Sequence, residues 1–271
     1  MPTSARRHST SRVLTFVILM GVAAPGCDGL LVSASDAGKP SLTELCETHK
    51  TDKCSVYVEE HREVKGHDYV EVYEKFFEPI RFEAERIFEI GVWRGDSLRL
   101  WAAYFPNARI FGIDIEDTSM YATERITTFV ADQSDREQLR KFIDAHGGDF
   151  DVIIDDGGHS MKQQQVSFGY LFRFVRPGGY YVIEDVHTSF LDPAENPRFG
   201  VAKGGQNTTF HMIQRYAWTR SFESPYMTGQ EKSYLDRHVD SCLYWSRATG
   251  FHSDLFLCKK KGDRPETLSA P

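Results

Sequence analysis

The 271-residue chain predicts an α/β fold: a mostly parallel sheet with an antiparallel C-terminal strand and helices on both faces. Three observations carry that expectation. From Arg86 onward, short apolar runs alternate with segments of helical length. The apolar runs end in acids or in a glycine turn, as strands of an open sheet do where a ligand meets their carboxyl ends. The last two strand-like runs, 241–245 and 255–258, follow each other through Gly250 and read as an antiparallel edge.

The N-terminus differs in kind. Arg6, Arg7 and Arg12 precede an apolar run over 13–20, which continues through small residues to Gly26 and Cys27. A basic start, a short apolar stretch and small residues at a cleavage point make the layout of a secretory or lipoprotein-type signal. The run is short for a membrane span. Residues 1–35 are therefore expected to be a leader and linker that exports the chain or tethers it to a membrane. The alternative is an over-extended start on a cytoplasmic protein.

Residues 36–80 read as an N-terminal helical lid segment. Tyr69, Val70, Tyr73, Phe76, Phe77 and Ile80 form its clearer apolar stripe, ended near Pro79. Aromatic stripes of this kind are more often core contacts than the roof of a pocket.

The strands then follow in order. Residues 87–90 form a buried strand closed by a turn from Gly91 to Gly95, and Asp96 or Ser97 can cap the helix that begins near Leu98. The next strand, 109–113, ends at Asp114, and a third, 128–131, ends at Asp132. The fourth, 151–154, runs into Asp155 and Asp156, two glycines and His159. A helical segment bearing Val166, Leu171, Phe172 and Val175 stops at Pro177, Gly178 and Gly179. The fifth strand, 180–183, ends in Glu184 and Asp185. An aromatic-rich insertion over about 188–240 shows no clear period, and 263–271 reads as a disordered tail.

Composition narrows the function classes. The net charge of -7 and the absence of a basic patch exclude nucleic acid as a partner. Lys259, Lys260 and Lys261 read as a solvated strand end. Past the leader stand Cys46, Cys54, Cys242 and Cys258, which allow two disulfides in an oxidising compartment or buried free thiols in strands. With no CxxC pair, a structural zinc site is not expected. Asn207 to Thr209 matches a glycosylation sequon.

The fourth and fifth strands carry the chemistry. If they are parallel neighbours, their ends lie about 5 Å apart, so up to four carboxylates and the His159 imidazole converge. Such a cluster needs a cation, because close carboxylates repel. It reads as a hard-metal site beside a general base. A histidine taken alone would read as a helix-start cap, but beside the acid pair His159 reads as the base; His187 reads as a neighbour that orients Asp185 or as an exposed residue.

On the other side of the expected cleft, Gly91 and Gly95 let the backbone approach a ligand. Asp114 can accept both hydroxyl hydrogens of a ribose, and Asp132 with Gln133 can meet an adenine edge. The spacing of Glu89, Gly91 and Gly95 is not the GxGxxG of dinucleotide folds. So many acids suit a ligand without phosphates and with a positive centre, and S-adenosylmethionine fits. The cofactor-binding candidates are Glu89, Gly91, Gly95, Asp114, Asp132, Gln133 and Asp155.

These residues carry a resemblance. Residues 88–92, 95–101, 104–106, 112–114, 154–159, 176–179 and 181–185, with 51–53 and 67–69 upstream, resemble the class I methyltransferases of the macrocin and mycinamicin sugar O-methyltransferase group. The similarity spans roughly residues 45–190. It implies a Rossmann-like methyltransferase domain over 81–262, S-adenosylmethionine as methyl donor, Mg²⁺ held by Asp156, Glu184 and Asp185, and His159 as the base. Lys50 and Cys54 stand where that family usually has glycines beside its Thr-Asp-Lys motif. The expected reaction is Mg²⁺-assisted O-methylation of a small-molecule hydroxyl on a sugar or glycoside. The alternatives are a phenolic or catechol acceptor and a non-catalytic exported binding protein. An NAD-dependent oxidoreductase lacks its phosphate loop here. A homo-oligomer stays open.

Overall fold

The computed structural model describes residues 18–20, 38–59, 61–247 and 253–262. Three residues of the expected leader run form strand β1 (Ile18–Met20). The rest of that run, the Gly250 turn and the 263–271 tail lie outside the described residues. Among the described residues, no helix is long and apolar enough to cross a membrane.

The segment expected to be a purely helical lid is helix, hairpin, helix. Helix α1 (Leu42–His49) starts at a capping box in which Ser41 and Glu44 each serve the other's backbone N–H. Strands β2 (Val56–Glu59) and β3 (Arg62–Lys65) pair antiparallel, and α2 (Val70–Phe77) follows. The alternation of Val56, Val58 and Val64 is the strand signal, but each strand has only four residues and none is fully buried, so it is weak. A disulfide joins Cys46 in α1 to Cys54 before the hairpin, with Cα atoms 5.7 Å apart.

From there the chain alternates as expected. Strand β4 (Arg86–Ile90) leads to α3 (Asp96–Tyr104), β5 (Arg109–Asp114) to β6 (Ile126–Val130), and α4 (Arg136–His146) to β7 (Phe150–Asp155). Helix α5 (Met161–Leu171) connects to β8 (Val175–Ile183), which already begins before the Pro177 to Gly179 turn expected to precede it. Helix α3 begins at Asp96, not near Leu98; Gly95 holds the N-cap position in the left-handed region, and Ser97 turns its hydroxyl to Glu89 instead of capping. The stretch expected to lack a period holds α6 (Thr209–Thr219) and α7 (Gly229–His238), each opened by a threonine cap. Strands β9 (Val239–Ser246) and β10 (Asp254–Lys260) close the chain.

The sheet order is β1-β9-β10-β8-β7-β4-β5-β6. Strands β8, β7, β4, β5 and β6 are parallel, and β10 enters antiparallel beside β8. Cys242 and Cys258 sit opposite each other in β9 and β10 and are bridged. Lys260 is not solvated as expected: its ammonium is nearly buried and donates to the carbonyls of Arg173 (2.9 Å) and Val175 (2.5 Å).

Side-chain alternation along the strands feeds two cores, one on each face. Phe88, Phe111 and Ile153 face α4 and α5, where Phe88 stacks on Phe142 at 4.5 Å. Ile87, Ile110 and Val152 face the other way, among Trp101, Tyr73 and Phe77 of α3 and α2. Burying one such ring stabilises by about 1.5–3 kcal/mol. This packing fixes where the strand ends, and the loops that leave them, come together.

Candidate active site

The cleft is built where β4, β5, β7 and β8 end. Gly91 has φ +91, and a Cβ there would lie 2.0 Å from the Asp156 carbonyl oxygen. Only glycine lets the loops after β4 and β7 touch at this point. Asp114 pins the first of these loops: one carboxylate oxygen accepts from the amides of Val92 (2.8 Å) and Trp93 (3.0 Å), the other from Glu116 (3.0 Å). The result is a cleft of about 360 Å³ whose wall includes Gly91, Trp93, Asp114, Asp132, Gln133 and His159.

Of the residues expected at the cofactor, Gly91, Asp114, Asp132 and Gln133 therefore face one space. Glu89, Gly95 and Asp155 do not; they stand behind the wall. A Cβ on Gly95 would strike the Tyr121 ring at 2.8 Å. Asp155 is fully buried and accepts from Gln133 (2.8 Å), Tyr181 (3.2 Å) and Ser167. Burial lifts its pKa to about 6, and those hydrogen bonds hold it from rising further. It anchors the Gln133 amide, whose oxygen accepts from the Gly158 N–H at 2.8 Å. Glu89 is also fully buried, accepts from Ser97 at 2.6 Å, and is pushed up to about 7 by burial against the pull of Lys53.

The acids of β7 and β8 meet at one end of the cleft. The two strands are parallel neighbours with Asp155 opposite Ile183, so Asp156 and Glu184 follow side by side. The Asp156 amide bonds the Ile90 carbonyl and the Glu184 amide bonds the Asp155 carbonyl, both at 2.9 Å. His159 and Asp185 both hold left-handed backbone, φ 56 and 53, a conformation that costs roughly 1–3 kcal/mol and persists only where surroundings enforce it. It turns them toward each other: His159 Nε2 lies 3.4 Å from an Asp185 oxygen and 3.9 Å from one of Asp156. Ligand atoms of Asp156, His159 and Asp185 all fall within 4.8 Å of one another.

Glu184 sits deeper and belongs to the same cluster through its partners. Tyr73 donates to one of its oxygens and Lys53 to the other at 3.1 Å, while Gln164 of α5 holds its carbonyl at 2.9 Å. Burial and the adjacent Asp156 carboxylate raise the Glu184 pKa well above the usual range. Asp185 is lowered: burial would raise it, but His159, His67 and His187, with a 2.7 Å hydrogen bond from Tyr69, outweigh that cost. His187 thus lies beside Asp185, 3.9 Å away.

Sequence reasoning did not give roles to Lys53, Tyr69, Tyr73 and His67. Tyr69 and Tyr73 belong to the α2 stripe and are core residues by packing, yet their hydroxyls reach Asp185 and Glu184. Lys53 is fully buried, with its ammonium against Asp156, 3.1 Å from Glu184 and 3.3 Å from Glu89. Burial alone would lower its pKa; the surrounding acids outweigh this and lift it well above normal. The available signal was a lone lysine inside a resembling motif, without periodicity.

A family model described as a methyltransferase domain matches residues 88–186. The chain is 33% identical over 234 residues to the demethylmacrocin O-methyltransferase of Streptomyces fradiae, covering 80% of this chain and 54% of that protein. It is 34% identical over 215 residues to the mycinamicin VI 2''-O-methyltransferase of Micromonospora griseorubida, covering 74% of this chain and 49% of the relative. Among solved structures it resembles the MycE methyltransferase from the mycinamycin biosynthetic pathway in complex with Mg, SAH and mycinamycin VI. That match has a TM-score of 0.64 and 29% identity, and covers 87% of this chain and 58% of that one. The chain thus spans about half the length of these relatives. With the strand order and the strand-end acids, residues 88–186 form a methyltransferase domain, and the chain as a whole is similar to the sugar O-methyltransferases named above.

Proposed function

We propose that the chain transfers the methyl group of S-adenosylmethionine to a hydroxyl of a sugar or glycosylated small molecule, assisted by Mg²⁺. One observation carries this reading: the cleft walled by Gly91, Asp114, Asp132 and Gln133 ends at the cluster of Asp156, His159 and Asp185. A methyl donor and a bound hydroxyl can meet there.

The donor set fits the ion. Asp156 and Asp185 present carboxylate oxygens to a common space, and Mg²⁺ favours oxygen ligands and keeps positions for water or substrate. Asp156, Glu184 and Asp185 would hold it. When bound, it fixes neighbouring hydroxyls and lowers their pKa. On the cofactor side, Asp114 keeps acceptor capacity for ribose hydroxyls while it pins the glycine loop, and Gln133 is held rigid by Asp155. His159 Nε2 takes the acceptor's proton, and the left-handed backbone aims it there. The names of the relatives favour a sugar hydroxyl over a phenol.

The test is methyl-labelled S-adenosylmethionine offered with a panel of glycosides and phenols. Label should appear on a glycoside hydroxyl, and His159→Ala should lower turnover by about 10²- to 10⁴-fold while S-adenosylhomocysteine still binds. Transfer to phenols alone, or undiminished turnover in the variant, would refute the reading.

A further inference from the structure

We propose that Lys53 is a positioning residue of the metal site: its ammonium aims Asp156 and Glu184 and ties both to Glu89 beneath the cofactor loop. This rests on the reading that those acids hold a divalent ion. Lys53 touches three carboxylates from three different strand ends, β4, β7 and β8, and so ties together groups that otherwise have separate partners, Ser97 for Glu89 and Tyr73 for Glu184. Its ammonium takes one oxygen of Asp156 and leaves the other facing His159 at 3.9 Å. Between them, Lys53 and Tyr73 occupy both oxygens of Glu184 and lock that side chain in place.

The backbone that carries the lysine is pinned on both sides. Its N–H donates to Thr51 Oγ1 at 3.1 Å and its carbonyl accepts from Val70 at 3.3 Å. The neighbouring Cys54 is bridged to Cys46, and its carbonyl lies so near Gly66 that a Cβ there would be 2.1 Å away. Fully ionised, three acids around one lysine would carry net negative charge, which a divalent cation would offset. Partners that orient metal-binding carboxylates typically set metal affinity by about 10- to 100-fold.

The experiment titrates Mn²⁺ as probe, by its paramagnetic resonance signal, into full-length protein saturated with S-adenosylhomocysteine. Wild type is compared with Lys53→Met, with Lys53→Arg, and with the double variant Lys53→Met/Glu89→Gln, which removes one uncompensated acid. The two methionine variants should bind Mn²⁺ about 10- to 100-fold more weakly, with S-adenosylhomocysteine affinity little changed, and Lys53→Arg should restore part of the loss. A folded double variant that binds Mn²⁺ as tightly as wild type overturns the role of Lys53 alone. Wild type that binds no Mn²⁺ removes the metal reading and the inference together. Variants that stay unfolded even with S-adenosylhomocysteine present would make Lys53 a folding residue and likewise overturn the proposal.

Discussion

At the scale of single residues, the strand-end acids divide into those that meet the cleft and those that hold the ones that do. Asp114 does both, since it accepts three backbone amides and lines the cleft. Asp114→Ala should leave the Val92 and Trp93 donors unpaired and weaken S-adenosylhomocysteine binding by about 1–3 kcal/mol, read by calorimetry. An unchanged affinity would remove Asp114 from the cofactor site. Asp155 belongs to the second kind, and its pKa, raised from 3.8 to about 6, makes it a pH probe. Because the folded value lies above the unfolded one, this group favours folding most below pH 4 or so and loses that contribution as pH rises through about 6. Asp155→Asn has no proton to lose. Its thermal stability relative to wild type should therefore climb between about pH 4 and pH 7, and a flat difference across that range would contradict the assignment. Asp114 and Asp132 were legible because each closes an apolar run. The burial of Asp155 behind the wall was not, since adjacent acids at a strand end look alike until the pleat sends them to opposite sides.

At the scale of elements, the parallel strands were readable from apolar runs that end in acids, and the helices after Asp185 were not. Helix α6 does bury Thr209, Met212, Ile213 and Tyr216 at helical spacing, but exposed Trp218 blurs that stripe, and α7 buries only Glu231 and Leu235. The caps were nevertheless present: Thr208 before α6, and Thr228 with Glu231 opening α7. Glu231 also has a long-range partner. Arg136 at the start of α4 donates to both of its oxygens, at 2.7 and 2.8 Å, and Glu231 is nearly buried. The pair lowers the Glu231 pKa against the cost of burial. Arg136→Ala should destabilise the protein by about 1.5–3 kcal/mol in denaturant unfolding, the scale of a charged hydrogen bond with its partner left buried. A loss within the range of ordinary surface ion pairs, below about 1 kcal/mol, would show that α7 docks by its apolar face alone. The β2–β3 hairpin escaped notice for a different reason: its strands are short, none of their residues is fully buried, and neither core demands the pattern.

At the scale of the whole molecule, the sheet order brings together the two halves of the proposed reaction. Strands β4 and β5 supply the glycine loop of the proposed cofactor side and the acid that pins it, and β7 and β8 supply the carboxylate cluster. That convergence could be read in advance from strand, helix, strand with acids at both ends. What could not be read is the N-terminal contribution: Lys53 meets Asp156 across 103 positions of sequence, and Tyr69 meets Asp185 across 116. No local period encodes such contacts; they follow from how α1 and α2 pack, beside α3 with its Trp101, on the sheet face of Ile87, Ile110 and Val152. The most direct measurement is methyl transfer from labelled S-adenosylmethionine to an accepted glycoside by chelator-treated protein, before and after Mg²⁺ is restored. Transfer should be negligible without the ion and recover on its addition. Full-rate transfer by the metal-free protein would contradict the central claim and leave the carboxylate cluster a structural one.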